Sequence, residues 1–492
     1  MVIQFMKPKI ALTAAFAALS FSFSNAQTLC ENGFAGEFPC LNVDLMSHLP
    51  IDQIGGGANM NDIWGWTSPV TGREYAIACR STGTSFIDIT DPVNPIYLGD
   101  LHTHTTPSLW RDAKVFNDYA FIVSEAGNHG LQVFDLLQLD SVVGTGNTFE
   151  ETAHYGQFGN AHNIAINEST GYAYCVGSNT FNGGLHIVNI NDPLNPVIAG
   201  EFATDGYTHD TQVVIYDGPD AAWVGKEIAF LANATKFSIA DVTDKADVQL
   251  IATSGYSDLG YTHQGWLTED HKFFLLDDEM DETNFGMNTR TLIWDVQDLD
   301  NPVHIGSYVS SIASSDHNLY TRGNYVFESN YSGGLRILNL ENVGQANLFE
   351  AGYFDTEPNS NAVGYNGSWS NYPYFASGNV VVNSMYNGFF VVKPKDFFFQ
   401  SVEEAKAEQS KKLRTYPNPA SAHVKVEIPA WAGQFKAKIS ICNLMGIEQT
   451  GTQYQWMTSG QYTLDVSSLS GGYYIIRVEH PAGLLYSTLI VE

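Results

Sequence analysis

Four histidines recur at matched places in this chain, and a neutral imidazole nitrogen is a side-chain group that ligates transition metals or moves protons near neutral pH. They belong to seven dipeptides, Asn61-Asp62, Arg111-Asp112, His162-Asn163, His209-Asp210, His263-Gln264, His317-Asn318 and Trp369-Ser370, spaced by 50, 51, 47, 54, 54 and 52 residues. Imidazoles converging from neighbouring strands can hold a divalent transition metal through His162, His209, His263 and His317, with Asp112 or Asp210 as an oxygen ligand or behind it. The same four rings can instead hydrogen-bond to backbone and buried water and fill a polar channel, and the spacing leaves both readings open. Arg111, Asp112, His129, Asp210, Gln264 and Asn318 are the accompanying candidates for contact with a ligand. The acidic run Asp277-Asp278-Glu279-Met280-Asp281-Glu282 offers hard oxygen ligands suited to calcium. It lacks the spaced acids and glycine of an EF-hand, however, and reads first as a solvated loop.

No other catalytic signature competes with the ring. The chain has no G-x-S-x-G, no H-E-x-x-H, no Walker loop and no G-x-G-x-x-G opening a helix. Its 53 acidic against 23 basic residues give a net charge of -30, which repels phosphate backbones and excludes nucleic acid as a partner.

The elements that must carry these residues show in a second pattern, apolar-x-apolar-apolar-Asp/Asn, at 84–88, 131–135, 185–189, 237–241, 291–295 and 335–339, with a worn copy at 389–393. The period averages about 51 residues, near the length of a four-stranded propeller blade. Asp-Pro turns such as Asp91-Pro92 and Asp192-Pro193 follow several copies and reverse the chain. The expected fold is all-β, a seven-bladed β-propeller over 27–400 followed by a small β-sandwich. The seventh unit stops after its third strand, so residues 41–48 are expected to supply its outer strand and close the ring. On that topology the dipeptides gather at one mouth of the channel. The loops joining second to third strands, with His102, His104, Glu125, His129, Asn179, Asn330 and the acidic run, lie on the same face.

Residues 1–26 read as a secretory signal peptide, with Lys7 and Lys9 before an apolar stretch at 10–23 and Ser24-Asn25-Ala26 as the cleavage site. That stretch is shorter than the roughly 20 residues a spanning helix needs, and no integral membrane helix is expected. Export permits disulfides, and Cys30 and Cys40 flank a loose loop and are expected to pair. Cys79 and Cys175 sit in apolar strands as buried thiols, and Cys442 has no evident partner.

The repeat at Leu185-His186-Ile187-Val188-Asn189 resembles the LVIVD repeat. Together with Trp110-Arg111-Asp112, Ala161-His162-Asn163 and Tyr207-Thr208-His209-Asp210, the stretch from Cys30 to Lys395 resembles the choice-of-anchor B family of secreted bacterial proteins. The resemblance implies a propeller-like exported protein and no particular reaction. Residues 401–412 read as a charged linker. Beyond them, Tyr416-Pro417-Asn418-Pro419, Asn443-Leu444-Met445-Gly446 and the run Leu464-Asp465-Val466 leading to Gly471-Gly472-Tyr473 make 413–492 similar to the type A sorting domain of type IX secretion. That implies recognition by the type IX machinery and a secreted or cell-surface destination. The function expected is a binding module with an unidentified extracellular ligand. The alternative is a metal-assisted hydrolase or lyase working at the histidine ring.

Overall fold

The repeat's terminal Asp or Asn has a local task that explains its recurrence. In each of the six well-formed copies its side-chain oxygen accepts the backbone N–H two residues on, at 2.8–3.0 Å: Asp88 from Thr90, Asp135 from Leu137, Asn189 from Asn191, Asp241 from Thr243, Asp295 from Gln297 and Asn339 from Glu341. This Asx turn ends the strand and starts the connection, which no apolar side chain can do. In the worn copy the position is Lys393, and no such turn follows.

The computed structural model describes residues 27–57, 59–399, 413–428, 435–443, 449, 453–457, 460–480 and 483–491. The signal peptide expected at 1–26 and the linker expected at 401–412 lie outside the described residues. Two compact units divide at Lys395 and Asp396.

The first unit is all-β. Seven sheets follow one another along the chain, antiparallel except for the parallel edge strand Asn147–Phe149 of the first, each begun by an innermost strand: Met60–Thr67, Arg111–Phe116, Asn163–Asn167, Asp210–Ile215, Thr262–Leu267, Leu319–Arg322 and Ser368–Tyr372. Innermost strands of consecutive sheets pack on one another, and Ser368–Tyr372 packs in turn on Met60–Thr67, so the contacts run in a cycle. The cycle is one of packing and not of hydrogen bonding, and no closed barrel forms. Apolar cores fill the spaces between neighbouring sheets. Between the seventh and first, for example, Val381, Phe389 and Val391 meet Ile63, Ala76 and Ile87, all fully buried. A β-bulge between third and fourth strands recurs at matched places, including Phe86/Ile87, Ile187/Val188 and Ile293/Trp294.

The seventh sheet takes its fourth strand from the start of the chain: Val43–Leu49 pairs antiparallel with Gly388–Pro394, and Lys395 holds Asp44 at 2.8 Å. Just before it, Phe38–Leu41 adds to the outer edge of the sixth sheet through Cys40 and Leu41. The Cys30–Cys40 disulfide ties that crossing segment, with a Cα separation of 5.9 Å.

In the second unit, a sheet of Arg414–Tyr416, His423–Ile428 and Gly460–Asp465 accompanies another of Gln453–Met457, Phe435–Asn443, Gly472–His480 and Gly483–Val491. Val424, Val426 and Leu464 from the first share one core with Ile439, Ile476 and Val478 from the second.

Deleting residues 27–49 leaves the Gly388–Pro394 edge unpaired and uncovers its apolar face. The truncated chain should lose roughly 10 °C or more of melting temperature, or form aggregates, by thermal unfolding and size-exclusion chromatography. An unchanged melting curve would contradict this role for the N-terminal strand.

Candidate functional site

Each of the four histidines sits immediately before or at the start of an innermost strand, and all four line one cavity of about 330 Å³. They follow one another as an oblique stack, with ring centroids 4.2 Å apart for His162 and His209, 4.4 Å for His209 and His263, and 4.3 Å for His263 and His317.

Every one is anchored at Nδ1. His209 donates to the carbonyl of His263 at 2.9 Å and His317 to the carbonyl of Trp369, and carbonyls only accept, so both rings carry their proton on Nδ1. His162 meets Glu125 at 2.6 Å and His263 meets Asp277 at 3.0 Å, with Asp277 also accepting the Gln264 N–H at 2.7 Å. The edge left to the cavity is Nε2, which has no protein hydrogen-bond donor among the described residues; its nearest charged neighbour, at His317, is the Glu279 carboxylate 3.8 Å away. Histidines that ligate a metal are held in this way, the second nitrogen donating to a carbonyl or carboxylate.

Electrostatics keeps the rings of His209, His263 and His317 neutral. Burial pushes the imidazoles of His209 and His263 well below their usual range, and neighbouring histidines push the same way; burial takes His317 down to about 3. Burial also raises Glu279, which is opposed by the Tyr331 hydroxyl donating to it at 2.7 Å. The remaining phenols of the wall are engaged as well. Tyr365 donates to the Met280 sulfur, and Tyr207 donates to the Tyr261 hydroxyl. Trp110 and Trp369 complete the aromatic lining. The cavity is therefore rich in acceptors and poor in donors.

The other sequence candidates are placed elsewhere. Arg111 is buried against the Arg80 carbonyl and His129, and His129 is enclosed between Arg111 and Gln132, its pKa taken down to about 3 by burial and then by Arg111. Asp112 holds Lys114 at 2.5 Å and accepts the Ile164 N–H from the next sheet. Gln264 clasps the backbone of Leu319 in both directions, and Asn318 donates to Asp62, so these side chains stitch sheets together. Asp210 and Gln264 line a separate cavity of about 380 Å³ with Lys114, Trp64 and Trp266. Thus Glu125 and Asp277, and not Asp112 or Asp210, stand behind the histidines. His104 pairs with Glu151 and stacks on His154 away from the cavity wall.

Residues 277–282 are not the solvated loop expected of five acids in six residues. Asp277, Asp278, Asp281 and Glu282 are at most 1% exposed. Several have specific partners: Asp278 accepts from the N–H groups of Gly260 and Tyr261 and from the Tyr256 hydroxyl, and Asp281 is bound to Arg290. Sequence reasoning missed Tyr261, Tyr331, Tyr365 and Met385 as cavity residues, whereas Glu279 belongs to the acidic run that it placed on the same face as the histidines. The repeated Tyr-Thr-His at 207–209 and 261–263 is the signal by which two of the wall tyrosines were legible.

Residues 414–492 match the family described as secretion system C-terminal sorting domain. The second unit is accordingly a type IX sorting domain, which points to export to the cell surface or beyond it. No helix among the described residues is long and apolar enough to cross a membrane. No curated protein matches the chain. Among solved structures, it is similar to the extracellular domain of a one-component system from B. thetaiotaomicron at 11% identity and a TM-score of 0.44, covering 91% of this chain and 58% of that one. A second is the computationally designed protein Ika8, at 9% identity and a TM-score of 0.41, covering 68% of this chain and 82% of that one. Values this low assign neither fold nor activity.

The depressed histidines set a pH signature. The unfolded chain takes up protons on these rings below about 6.5 while the folded chain resists, so their contribution to stability is present above that value and falls as pH drops through it. In a ¹⁵N-edited titration His317 should remain the neutral Nδ1–H tautomer from pH 8 to 5, its midpoint lying near 3. A midpoint close to 6.5 would show that the ring is solvated.

Proposed function

We propose that the first unit is a seven-bladed β-propeller of the choice-of-anchor B type, delivered by type IX secretion to the cell exterior, where it acts as a binding module. Its ligand sits in the histidine-lined cavity. The observation that carries this reading is the set of four imidazoles, each tied by Nδ1 to an acceptor and each left with Nε2 toward one cavity. The cycle of seven meandering sheets supports the propeller, since that arrangement brings equivalent positions from different sheets to one opening. The cavity falls in the size range of small-ligand sites, and its aromatic walls studded with acceptors suit an organic group or a coordinated ion.

A ligand for this site must supply what the walls lack, positive charge or N–H and O–H donors. A transition metal satisfies the same demand. His263, Glu279 and His317 each offer one ligand atom, all within 4.8 Å of one another, and this favours the second reading of a metal-assisted hydrolase or lyase.

Metal analysis of the purified mature protein separates the two, with the His209→Ala/His263→Ala double variant as control. A binding module without metal should carry no stoichiometric Zn, Mn, Fe or Cu, and the double variant should still fold. One equivalent of metal that disappears in the variant would move the assignment to the metal-centred reading.

For delivery, removing residues 413–492 should leave the first unit folded but retained inside the cell envelope, as read by surface proteolysis and fractionation. Normal surface display of the truncated chain would overturn the role of this domain in export.

A further inference from the structure

Beside the histidine cavity lies a second cluster of different chemistry. Asp281 and Glu282 belong to the connection between Phe273–Asp278 and Arg290–Asp295 in the fifth sheet, on the short helix Asp281–Phe285. Asp316 arrives from another direction, on the segment joining the fifth sheet to the sixth. One carboxylate oxygen from each of the three lies within 4.8 Å of the others. The residues are 0%, 1% and 3% exposed.

Arg290 satisfies a single oxygen of the set, Asp281 Oδ2, at 2.7–2.8 Å. Asp281 Oδ1, both oxygens of Glu282 and both oxygens of Asp316 are buried without a hydrogen-bond partner. Asp316 is the independent sign of a ligand: a fully enclosed side chain from a separate segment, aimed at two other acids with nothing donating to either of its oxygens. A buried carboxylate in that condition requires a cation or a proton, because an isolated charge in a low-dielectric interior is strongly unfavourable.

We propose that Asp281, Glu282 and Asp316 form a calcium site. The donors are all oxygen, the choice of a hard cation, and their spread fits the roughly 5 Å between oxygens on opposite sides of a Ca²⁺ bound at 2.3–2.6 Å. Irregular backbone on both sides can complete a coordination shell of carbonyls and water. The ion ties residues 277–282 to residues 314–317. Those two segments also present Glu279 and His317 to the cavity, so calcium holds the wall in place whichever ligand the cavity takes. The inference does not depend on the binding-module reading.

The test uses the full chain, stripped with chelator and titrated with CaCl₂ by calorimetry and thermal unfolding, with MgCl₂ and ZnCl₂ in parallel. One Ca²⁺ per chain and a raised melting temperature are expected. Asp316→Asn and Glu282→Gln should each weaken binding roughly tenfold or more, whereas His209→Ala should leave it unchanged. If Asp316→Asn does not fold, Glu282→Gln carries the comparison, with Tb³⁺ luminescence on the unaltered protein as a further readout. The proposal fails if no saturable Ca²⁺ binding occurs or if both acid variants bind as the parent does. It also fails if both variants stabilise a calcium-indifferent chain, which would show that shared protons neutralise the cluster. Loss of metal or ligand binding in His209→Ala alone concerns the cavity and leaves the calcium site standing.

Discussion

The pairing of Val43–Leu49 with Gly388–Pro394 is the constraint on which the remainder of the first unit rests. The other six sheets take their four main strands in order along the chain, with Asn147–Phe149 and Phe38–Leu41 added at the outer edges of the first and the sixth, but the seventh is incomplete until the beginning of the chain returns to it. A sheet lacking its outer strand leaves a row of unpaired backbone groups and an uncovered apolar face. Closure at this one seam also seats the core between Val381, Phe389 and Val391 and Ile63, Ala76 and Ile87. The cavity draws Glu125 from the second sheet, histidines from the third to the sixth, and Trp369 and Met385 from the seventh. It exists only while the sheets hold their cyclic order, so a strand far from the site in sequence is a condition of its geometry.

The centre of this arrangement is polar, and the apolar cores lie between sheets. Lys114 is enclosed with Asp112, Asp62 and Asp210. Burial alone would lower its pKa, but those three carboxylates outweigh it and raise the group, so the ammonium stays charged. Side-chain amides then join sheet to sheet: Gln212 accepts from Leu267, Asn163 donates to the carbonyl of His209, and Asn383 donates to the carbonyls of Asn61 and Asp62. A buried polar network of this kind stabilises only when its members are satisfied, and the partners here come from neighbouring sheets. Many of the polar residues beside the histidines are therefore occupied in holding the cycle and have little capacity left for a ligand.

This division of labour explains how much the sequence could reveal. The all-β class and the repeat are legible because strand alternation and the Asx turn are local, each copy needing Asp or Asn where its strand ends. The equivalence of His162, His209, His263 and His317 is legible because the period is regular, and equal positions in successive sheets reach one cavity. The roles of Arg111, Asp112, Gln264 and Asn318 are not, because the alternation of a strand separates neighbouring residues and spacing alone does not say which one faces the opening. The acidic run misleads for a related reason. Composition suggests solvation, whereas burial is decided by Arg290, Tyr256 and the N–H groups of Gly260 and Tyr261, all distant from those acids along the chain or on another strand. Glu279 enters the cavity as one member of that run, with no local pattern to mark it.

The balance of donors and acceptors in the cavity narrows what it can hold. Four Nε2 atoms and the carboxylates of Glu125 and Glu279 face a space in which most phenolic hydrogens are committed, Tyr331 to Glu279, Tyr365 to Met280 and Tyr207 to Tyr261. Anionic ligands meet the Glu279 and Glu125 carboxylates and a net charge of -30, with no lysine or arginine among the described residues of the wall. Purely apolar ligands would cover acceptors and leave them unpaired, which costs about 1–3 kcal/mol for each group. What remains is a cation, or a neutral molecule carrying several N–H or O–H groups on an aromatic-compatible frame. Both address the same Nε2 edges, and the anchored Nδ1 atoms hold the rings in advance, so little of the binding energy is lost in ordering them.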